Sequence, residues 1–295
     1  MDGAQRNPPI RMAVDSGRNR PASIHPTPAG FVGSICGEAL MTLHIEVGGS
    51  GPDLVLLHGW GMNAAVWGES ATELAQYFRL HCVDLPGHGG SSACAPCTLD
   101  ELADLLAAAL PRRVAVCGWS FGGQVALNWA LRKPDQVGRL VLLAATPRFV
   151  RGVGWDCGID AAVLDDFARG LDHDYHATLQ RFTALQARGD AHPRGVLRRL
   201  REHMLARGEP DVEALGAGLR LLKETDLRDR LIQIMQPALI LHGERDTLVP
   251  LAAGEYLRRA LPHAVLEVFA GTAHAPFIAQ PQRTARRIVE FCREP

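Results

Sequence analysis

A serine set between glycines, where a β-branched run meets an alanine-rich run, is the feature that most constrains this chain. The segment VAVCGWSFGGQVALNWA covers residues 114–130, and its central residues Gly118 to Gly122 match the pattern G-x-S-x-G. A strand pattern precedes the serine and a helix pattern follows it, as this motif requires. The glycines avoid clashes in so sharp a turn and leave the Ser120 hydroxyl at the positive end of the helix dipole. The segment therefore predicts Ser120 as a nucleophile, against the simpler interpretation of a glycine-rich turn.

Short apolar runs alternate with helical patterns over most of the chain. Nearly continuous hydrophobicity is typical of parallel strands that are buried on both faces. The predicted strands cover residues 54–57, 80–83, 114–117, 140–144, 238–241 and 265–269. The helices predicted to accompany them cover residues 65–77, 99–110, 123–132, 252–261 and 281–292. This alternation predicts an α/β fold with a mostly parallel central sheet and helices on both faces.

The alternation stops between residues 147 and 226, where no strand-like run occurs. Helical patterns at 161–171, 176–187 and 196–206 predict a helical cap over 147–226, inserted between core segments 41–146 and 227–295. Ligands bind at the carboxyl ends of parallel strands, so we expect the cap to cover that end. Residues 1–40 are rich in Pro, Gly, Ser and Arg. They are predicted to be a disordered extension, with Met41 as a candidate native start.

A serine hydroxyl needs a base, and the base an orienting acid, before it becomes a good nucleophile near neutral pH. Asp246 follows the predicted strand 238–241, and His274 follows the predicted strand 265–269. Both lie in loops at the carboxyl end of the sheet, and the order Ser, Asp, His is the one that this topology requires. We therefore predict a catalytic triad of Ser120, Asp246 and His274.

Other acids and histidines near these positions are weaker candidates for the triad. Asp226 and Asp229 stand in a charged run that follows no strand, and Glu244 lies earlier in the loop of the chosen acid. His263 precedes its strand and so falls at the opposite end of the sheet. His242 lies at a strand end and is typical of a buried core histidine.

The turn His58-Gly59-Trp60-Gly61 ends the predicted strand 54–57. Such a turn can aim a backbone N–H at the oxygen that becomes negative in a tetrahedral intermediate. We predict the main-chain amides of Trp60 and Phe121 as the two oxyanion donors. The loop VDLPGHGGSS over residues 83–92 is interpreted as structural.

The charge and the cysteine content of the chain argue against binding to nucleic acid, to membranes and to metal ions. A net charge of -1 and a pI near 6.9 give no general attraction to nucleic acid or to an anionic membrane. The cysteines are scattered and odd in number, which favours a reducing, cytoplasmic compartment. Cys94 and Cys97 form a lone C-x-x-C that we interpret as an ordinary loop. We expect no metal and no cofactor, because a hydroxyl, an imidazole and backbone donors suffice.

These motifs together resemble the α/β-hydrolase superfamily over nearly all of residues 42–293. The strand with HGWG, the loop D-x-P-G-x-G, G-W-S-x-G-G, H-G-x-x-D and the terminal histidine carry the resemblance. Within it, HGWGMNAAVW, GWSFGG, RFTALQ, LLKETDLR and AHAPFIAQP resemble the pimeloyl-acyl-carrier-protein methyl ester esterases of biotin synthesis. The resemblance implies a serine carboxylesterase that cleaves the methyl ester of a pimeloyl chain on phosphopantetheine and releases methanol. It also implies substrate-binding residues lining an acyl channel in the cap, namely Phe182, Thr183, Ala184, Leu185 and Gln186.

Arginines crowd the predicted cap although the whole chain is nearly neutral. The cluster, opposed mainly by Asp190 and Glu202, comprises Arg181, Arg188, Arg194, Arg198, Arg199, Arg201 and Arg207. It can steer an acidic acyl carrier protein, or it can be a solvated basic helix. The resemblance implies that Arg181, Arg194 and Arg198 contact the carrier. Ala177 departs from the family pattern, which has a further arginine at that position.

Other functions remain beside the one that the resemblance implies. A general carboxylesterase acting on small free esters is the main alternative within the same chemistry. A non-catalytic ligand receptor or interaction protein is compatible with the fold but leaves the triad without a use. A cofactor-free lyase or perhydrolase is also compatible with the fold. For the implied function we expect a monomer whose partner is acyl carrier protein bearing pimeloyl methyl ester, with no nucleic-acid or membrane partner.

Overall fold

A twisted sheet forms the centre of the computed structural model, which describes residues 27–33, 41–93 and 98–293. Within this part of the chain the sheet has eight strands in the order β1-β2-β4-β3-β5-β6-β7-β8. β1 and β2 pair antiparallel, as do β2 and β4, and the remaining pairs are parallel. The strands are β1 (Thr27–Gly33), β2 (Met41–Gly49), β3 (Asp53–Leu57), β4 (Arg79–Val83), β5 (Val114–Trp119), β6 (Val137–Leu143), β7 (Ala238–Gly243) and β8 (Ala264–Phe269).

Helices cover both faces of this sheet and one of its ends. They are α1 (Gly68–Leu74), α2 (Leu99–Ala109), α3 (Phe121–Arg132), α4 (Ala161–Ala187), α5 (Pro193–Met204), α6 (Val212–Glu224), α7 (Leu251–Ala260), α8 (Pro276–Ala279) and α9 (Pro281–Arg293). Short 3-10 helices span Ala64–Trp67 and Arg228–Gln233. The predicted α/β class is confirmed, because β3 through β8 are parallel neighbours and residues 54–57 of β3 are fully buried. No helix in the described ranges has the length and apolar character needed to cross a membrane.

The two strands at the antiparallel edge were not among the predicted strands. In β2, Leu43 and Ile45 are buried while Thr42, His44 and Glu46 are partly exposed, and this alternation of period two is the usual signal for an antiparallel strand that is covered on one face. β1 pairs along β2, so the expectation of disorder over residues 1–40 is wrong for Thr27–Gly33. The rest of that extension, and the C-x-x-C at residues 94–97, lie outside the described residues.

The observed helices differ in detail from the predicted ones. The helix predicted over 65–77 begins as the 3-10 turn, where the Asn63 side chain accepts from Ala65 N at 3.0 Å, before α1 starts. The helices predicted at 161–171 and 176–187 correspond to the two parts of α4, which meet at a kink where Asp174 is non-helical (φ -158°, ψ 89°). The Asp174 carboxylate accepts the Ala177 amide at 2.9 Å and so caps the second half. Helix α6 was missed.

Helices α4, α5 and α6, with their connecting loops, form a layer that we call the cap. In the sequence they come between β6 and β7, and in the structure α4 contacts both α5 and α6. The segment begins and ends side by side, because Arg148 pairs with Asp226 across a backbone bridge and by an ion pair of 2.6 Å. The cap contacts the loops at the carboxyl ends of β3 and β8, because Leu215 accepts a hydrogen bond from the Trp60 indole and Asp190 accepts one from the Ala273 amide.

Candidate active site

Ser120 occupies the junction between β5 and α3 in a backbone conformation that few non-glycine residues adopt, with φ 54° and ψ -114°. Such a conformation costs on the order of 1–3 kcal/mol and persists only where the surrounding structure enforces it. The Ser120 amide donates to the carbonyl oxygen of Leu143 in β6 at 2.9 Å. A Cβ on Gly118 would lie 2.3 Å from the carbonyl oxygen of Gly122, so the strand and helix approach too closely for a side chain there.

The three residues predicted as a triad come together in one hydrogen-bonded series. The Ser120 hydroxyl donates to Nε2 of His274 at 2.8 Å, and Nδ1 of His274 donates to Oδ2 of Asp246 at 2.7 Å. All three side chains are buried, with exposed fractions of 6% for Ser120, 5% for Asp246 and 1% for His274. Exclusion of water strengthens the electrostatic interactions inside such a site. The arrangement can make an alkoxide nucleophile by passing the serine proton to the imidazole.

The loop after β7 holds Asp246 as an acceptor only. Its second oxygen, Oδ1, accepts the amides of Leu248 and Val249, each at 2.9 Å, so Oδ2 is left for His274. Asp246 is therefore fixed in the position from which Oδ2 orients the imidazole.

The rival residues lie elsewhere or have other partners. Asp226 pairs with Arg148 and Arg228, and Glu244 accepts the amide of Gly271. His263 is exposed at the start of β8, whereas His242 is buried and donates from Nε2 to the Val249 carbonyl at 2.8 Å. Burial lowers the pKa of His242, which keeps its imidazole neutral beside the acid loop. These contacts leave no rival with the geometry of the hydrogen-bonded series.

The predicted oxyanion residues lie where β3 approaches the start of α3. Phe121 is the first residue of α3, so its amide has no acceptor within the helix. A Cβ on Gly122 would meet the Leu57 carbonyl oxygen at 2.3 Å, which shows how closely the turn after β3 passes this helix end. Trp60 follows in that turn, and its indole Nε1 donates to the Leu215 carbonyl of α6 at 2.9 Å. The cap therefore holds one of the two predicted donors.

A loop packed beneath this turn is built around buried polar groups. Asp84, which is fully buried, accepts the amides of Ala64 at 2.7 Å and Gly90 at 3.0 Å. Burial would raise the pKa of Asp84, but these donors and the neighbouring charges hold it below its ordinary value. Burial lowers the pKa of His58 to about 3, so the neutral ring accepts the Leu85 amide through Nε2. The loop at residues 83–92 thus supports the turn after β3.

The cap residues that the resemblance assigns to substrate binding lie on α4, but they do not all face the candidate site. Phe182 packs edge-on against Trp60, with ring centroids 4.6 Å apart, and the Gln186 carbonyl accepts the His274 amide at 3.3 Å. The Thr183 hydroxyl donates to the Leu179 carbonyl within the helix. Ala184 and Leu185 line a separate open pocket of about 670 Å³ that also contains Arg181. The structure therefore brings Phe182 and Gln186 to the candidate site and turns Ala184 and Leu185 toward another surface.

The arginines of the cap do not form one uniform patch. Arg207 is mostly buried and forms ion pairs with Glu46 and Asp84, and Arg199 donates to the Ile278 carbonyl at 2.9 Å, so both fasten the cap to the core. The three arginines that are predicted to contact a carrier, Arg181, Arg194 and Arg198, are exposed. Arg181 pairs with Asp166 at 2.8 Å and lies over the Phe167 ring, and Arg198 pairs with Glu202 at 2.8 Å. Arg194, also exposed, has no ion-pair partner among the described residues.

Sequence reasoning missed two contributors to the site. The sequence presents Asp190 only as a charge that opposes the arginines, but the residue is buried and accepts the amide of Ala273, next to His274, at 3.0 Å. Leu215 belongs to the helix that was not predicted. Both act through contacts that join distant parts of the chain. Among the described residues no cluster of three or more His, Cys, Asp or Glu side chains could hold a metal ion.

Comparison with known proteins shows which family the chain belongs to. A family model described as alpha/beta hydrolase fold matches residues 52–281. The chain is 46% identical over 245 residues to a pimeloyl-[acyl-carrier protein] methyl ester esterase of Nitrosomonas europaea, covering 83% of this chain and 97% of the relative. It is 42% identical over 249 residues to the protein of the same name in Vibrio vulnificus, covering 84% and 97%. Among solved structures, an esterase from Exiguobacterium antarcticum matches 86% of this chain and 97% of its own, with a TM-score of 0.79 and 24% identity.

Proposed function

This chain belongs to the alpha/beta hydrolase family and, within it, to the pimeloyl-[acyl-carrier protein] methyl ester esterases, and from this premise we propose its reaction. The protein is a serine carboxylesterase that hydrolyses the methyl ester of pimeloyl-acyl carrier protein in biotin synthesis. The products are pimeloyl-acyl carrier protein and methanol. The observation that carries the proposal is the hydrogen-bonded series from Ser120 through His274 to Asp246.

The reaction proceeds through an acyl-enzyme. His274 Nε2 takes the hydroxyl proton of Ser120 as the serine oxygen attacks the terminal ester carbonyl, and Asp246 holds the imidazole in the required tautomer. The tetrahedral intermediate collapses, the C–O bond to the methoxy group breaks, and His274 returns the proton to form methanol. Water, deprotonated by the same imidazole, then attacks the acyl-enzyme carbonyl and releases the free carboxylate.

Backbone amides stabilise the charge that develops on the carbonyl oxygen. Phe121 contributes the unpaired amide at the start of α3, and Trp60 contributes the amide of the turn after β3. Loss of one such donor typically costs about 10² to 10³ in rate. The N-terminal end of α3 adds favourable electrostatics for the same oxygen.

The carrier is recognised by charge on the outer surface of the cap. Arg194 and Arg198 lie one helical turn apart on α5, and both are exposed. Arg194 has no ion-pair partner in the described chain, so its guanidinium is available to carboxylates of an acidic carrier. Arg198 and Arg181 contribute less than Arg194, because Glu202 already pairs with the former, and Asp166 and the ring of Phe167 with the latter. We propose that the enzyme acts as a monomer in the cytoplasm, with no nucleic-acid or membrane partner.

Complementation tests this function in a cell. A bacterial host that lacks its own pimeloyl ester esterase is transformed with this gene, with the variant Ser120→Ala, or with an empty vector, and grown without biotin. We expect growth only with the unaltered gene, at matched levels of soluble protein. Failure of the unaltered gene despite soluble expression, together with activity on small free esters, would favour the general carboxylesterase instead.

A further inference from the structure

The turn between α4 and α5, residues 188–192, lies against both loops that carry the triad. Gly189 has φ 95°, and a Cβ there would lie 2.5 Å from the carbonyl oxygen of Arg245, which immediately precedes Asp246. On the other side, the Ala191 amide donates to the Gly271 carbonyl at 2.8 Å. The turn is therefore wedged between the acid loop and the histidine loop.

Asp190 is the charged residue of this turn that faces the histidine loop. Its side chain is buried, and each carboxylate oxygen accepts one amide. Oδ2 accepts Ala273 N at 3.0 Å, and Oδ1 accepts His192 N at 2.8 Å. Ala273 immediately precedes His274, whereas His192 leads into α5. One carboxylate thus joins the backbone of the histidine loop to the entry of the helix that carries Arg194 and Arg198.

Two further hydrogen bonds hold the backbone of His274 itself. Its amide donates to the Gln186 carbonyl at 3.3 Å, and its carbonyl accepts from Nε1 of Trp119 at 2.8 Å. The first contact comes from the end of α4 and the second from the strand that precedes Ser120. Asp190 adds a third backbone contact from the cap side, through the amide of the preceding residue, Ala273. The bond between the Ser120 hydroxyl and Nε2 of His274 depends on where these contacts place the histidine loop.

We infer that Asp190 is a positioning residue for the catalytic histidine, an inference that rests on the proposed role of His274 as the base. Its carboxylate fixes the amide next to His274 and so keeps Nε2 within hydrogen-bonding distance of Ser120. Without that carboxylate the buried amide of Ala273 loses its acceptor, as does the amide of His192, and the histidine loop shifts to find another. Because a displacement of about 1 Å can cost about 10²-fold in rate, a small shift affects catalysis more than it affects folding.

The test compares Asp190→Ala and Asp190→Asn with the control Asp160→Ala. Asp160 also accepts a backbone amide, that of Ala162 at 2.9 Å, but it caps the opposite end of α4 and is exposed. For each protein three quantities are measured: kcat and KM for p-nitrophenyl butyrate, the rate at which a fluorophosphonate labels Ser120, and the midpoint of thermal unfolding. The free ester makes the result independent of carrier docking.

We expect Asp190→Ala to lower kcat by roughly 10- to 100-fold with KM changed by less than about 2-fold, and to slow labelling of Ser120 in parallel. Asp190→Asn retains one acceptor oxygen for two amides and gives an intermediate loss. Asp160→Ala keeps both rates. A folded Asp190→Ala protein with unchanged kcat and labelling would overturn the inference; if that variant does not fold, unchanged rates in Asp190→Asn would overturn it.

Failure of the proposed function gives a different pattern. If the unaltered enzyme cleaves the free ester but not pimeloyl-carrier methyl ester, the proposed substrate is wrong, and the Asp190 comparison still decides the positioning role. If the unaltered enzyme neither cleaves the free ester nor reacts with the fluorophosphonate, the triad itself is wrong and both proposals fall.

Discussion

The indole of Trp60 donates a hydrogen bond to the carbonyl oxygen of Leu215, which joins the turn after β3 to helix α6 of the cap. The contact is tight, because a Cβ on Gly218, one turn further along α6, would lie 2.6 Å from Cδ1 of the same indole. A helix of the cap therefore holds the residue whose amide we propose as an oxyanion donor.

Gly218→Ala is expected to impair catalysis although alanine favours helices. The added methyl group must displace the Trp60 ring and with it the turn that carries the proposed oxyanion amide. We expect kcat on p-nitrophenyl butyrate to fall by roughly 10-fold or more. Gly216→Ala is the matched control, since the nearest atom to its Cβ is Arg220 Nη1 at 3.8 Å. That control should gain about 0.5–1 kcal/mol in unfolding free energy and keep its kcat. Equal kcat in the two variants would contradict the role given to α6.

Charge reversal on α5 separates carrier recognition from ester chemistry. The double variant Arg194→Glu with Arg198→Glu places carboxylates where an acidic carrier would dock. We expect KM for pimeloyl-carrier methyl ester to rise by roughly 10-fold, equivalent to about 1.4 kcal/mol, while hydrolysis of p-nitrophenyl butyrate is unchanged. The salt dependence of KM should weaken as well. A variant that cleaves the carrier ester like the unaltered enzyme would show that α5 does not bind the carrier.

The junction between core and cap should lose stability in acid. Hydrogen bonds from Arg228, followed by those from Arg148, lower the pKa of Asp226 from 3.8 to about 2. Because the folded pKa is depressed, the contribution is fully present above the unfolded pKa and is lost as the pH falls toward the folded pKa. Urea unfolding of the native chain and of Asp226→Asn should therefore differ most at about pH 6, and the difference should shrink between about pH 5 and pH 2. A difference that grows on acidification would contradict this.

The six parallel strands and the triad residues could be predicted because their signals are local. Each buried parallel strand is a short apolar run, and Ser120, Asp246 and His274 each follow such a run at the same end of the sheet. The contacts that position them are not local. Trp60 and Leu215 are 155 residues apart, and Asp190 and Ala273 are 83 apart, so they meet only after the cap packs on the core. In the sequence Asp190 is only an acid among arginines; its burial follows from the docking of the α4–α5 turn.

Hydrolysis of purified pimeloyl-carrier methyl ester by the native enzyme and by Ser120→Ala tests the central claim most directly. Methanol release and the mass of the carrier product are followed together, and thermal unfolding shows that both proteins are folded. We expect the native enzyme to release one methanol for each carrier carboxylate formed, and Ser120→Ala to lose turnover by a factor of about 10⁶. A folded Ser120→Ala protein that cleaves this ester at the native rate would contradict the assignment of the nucleophile and the mechanism built on it.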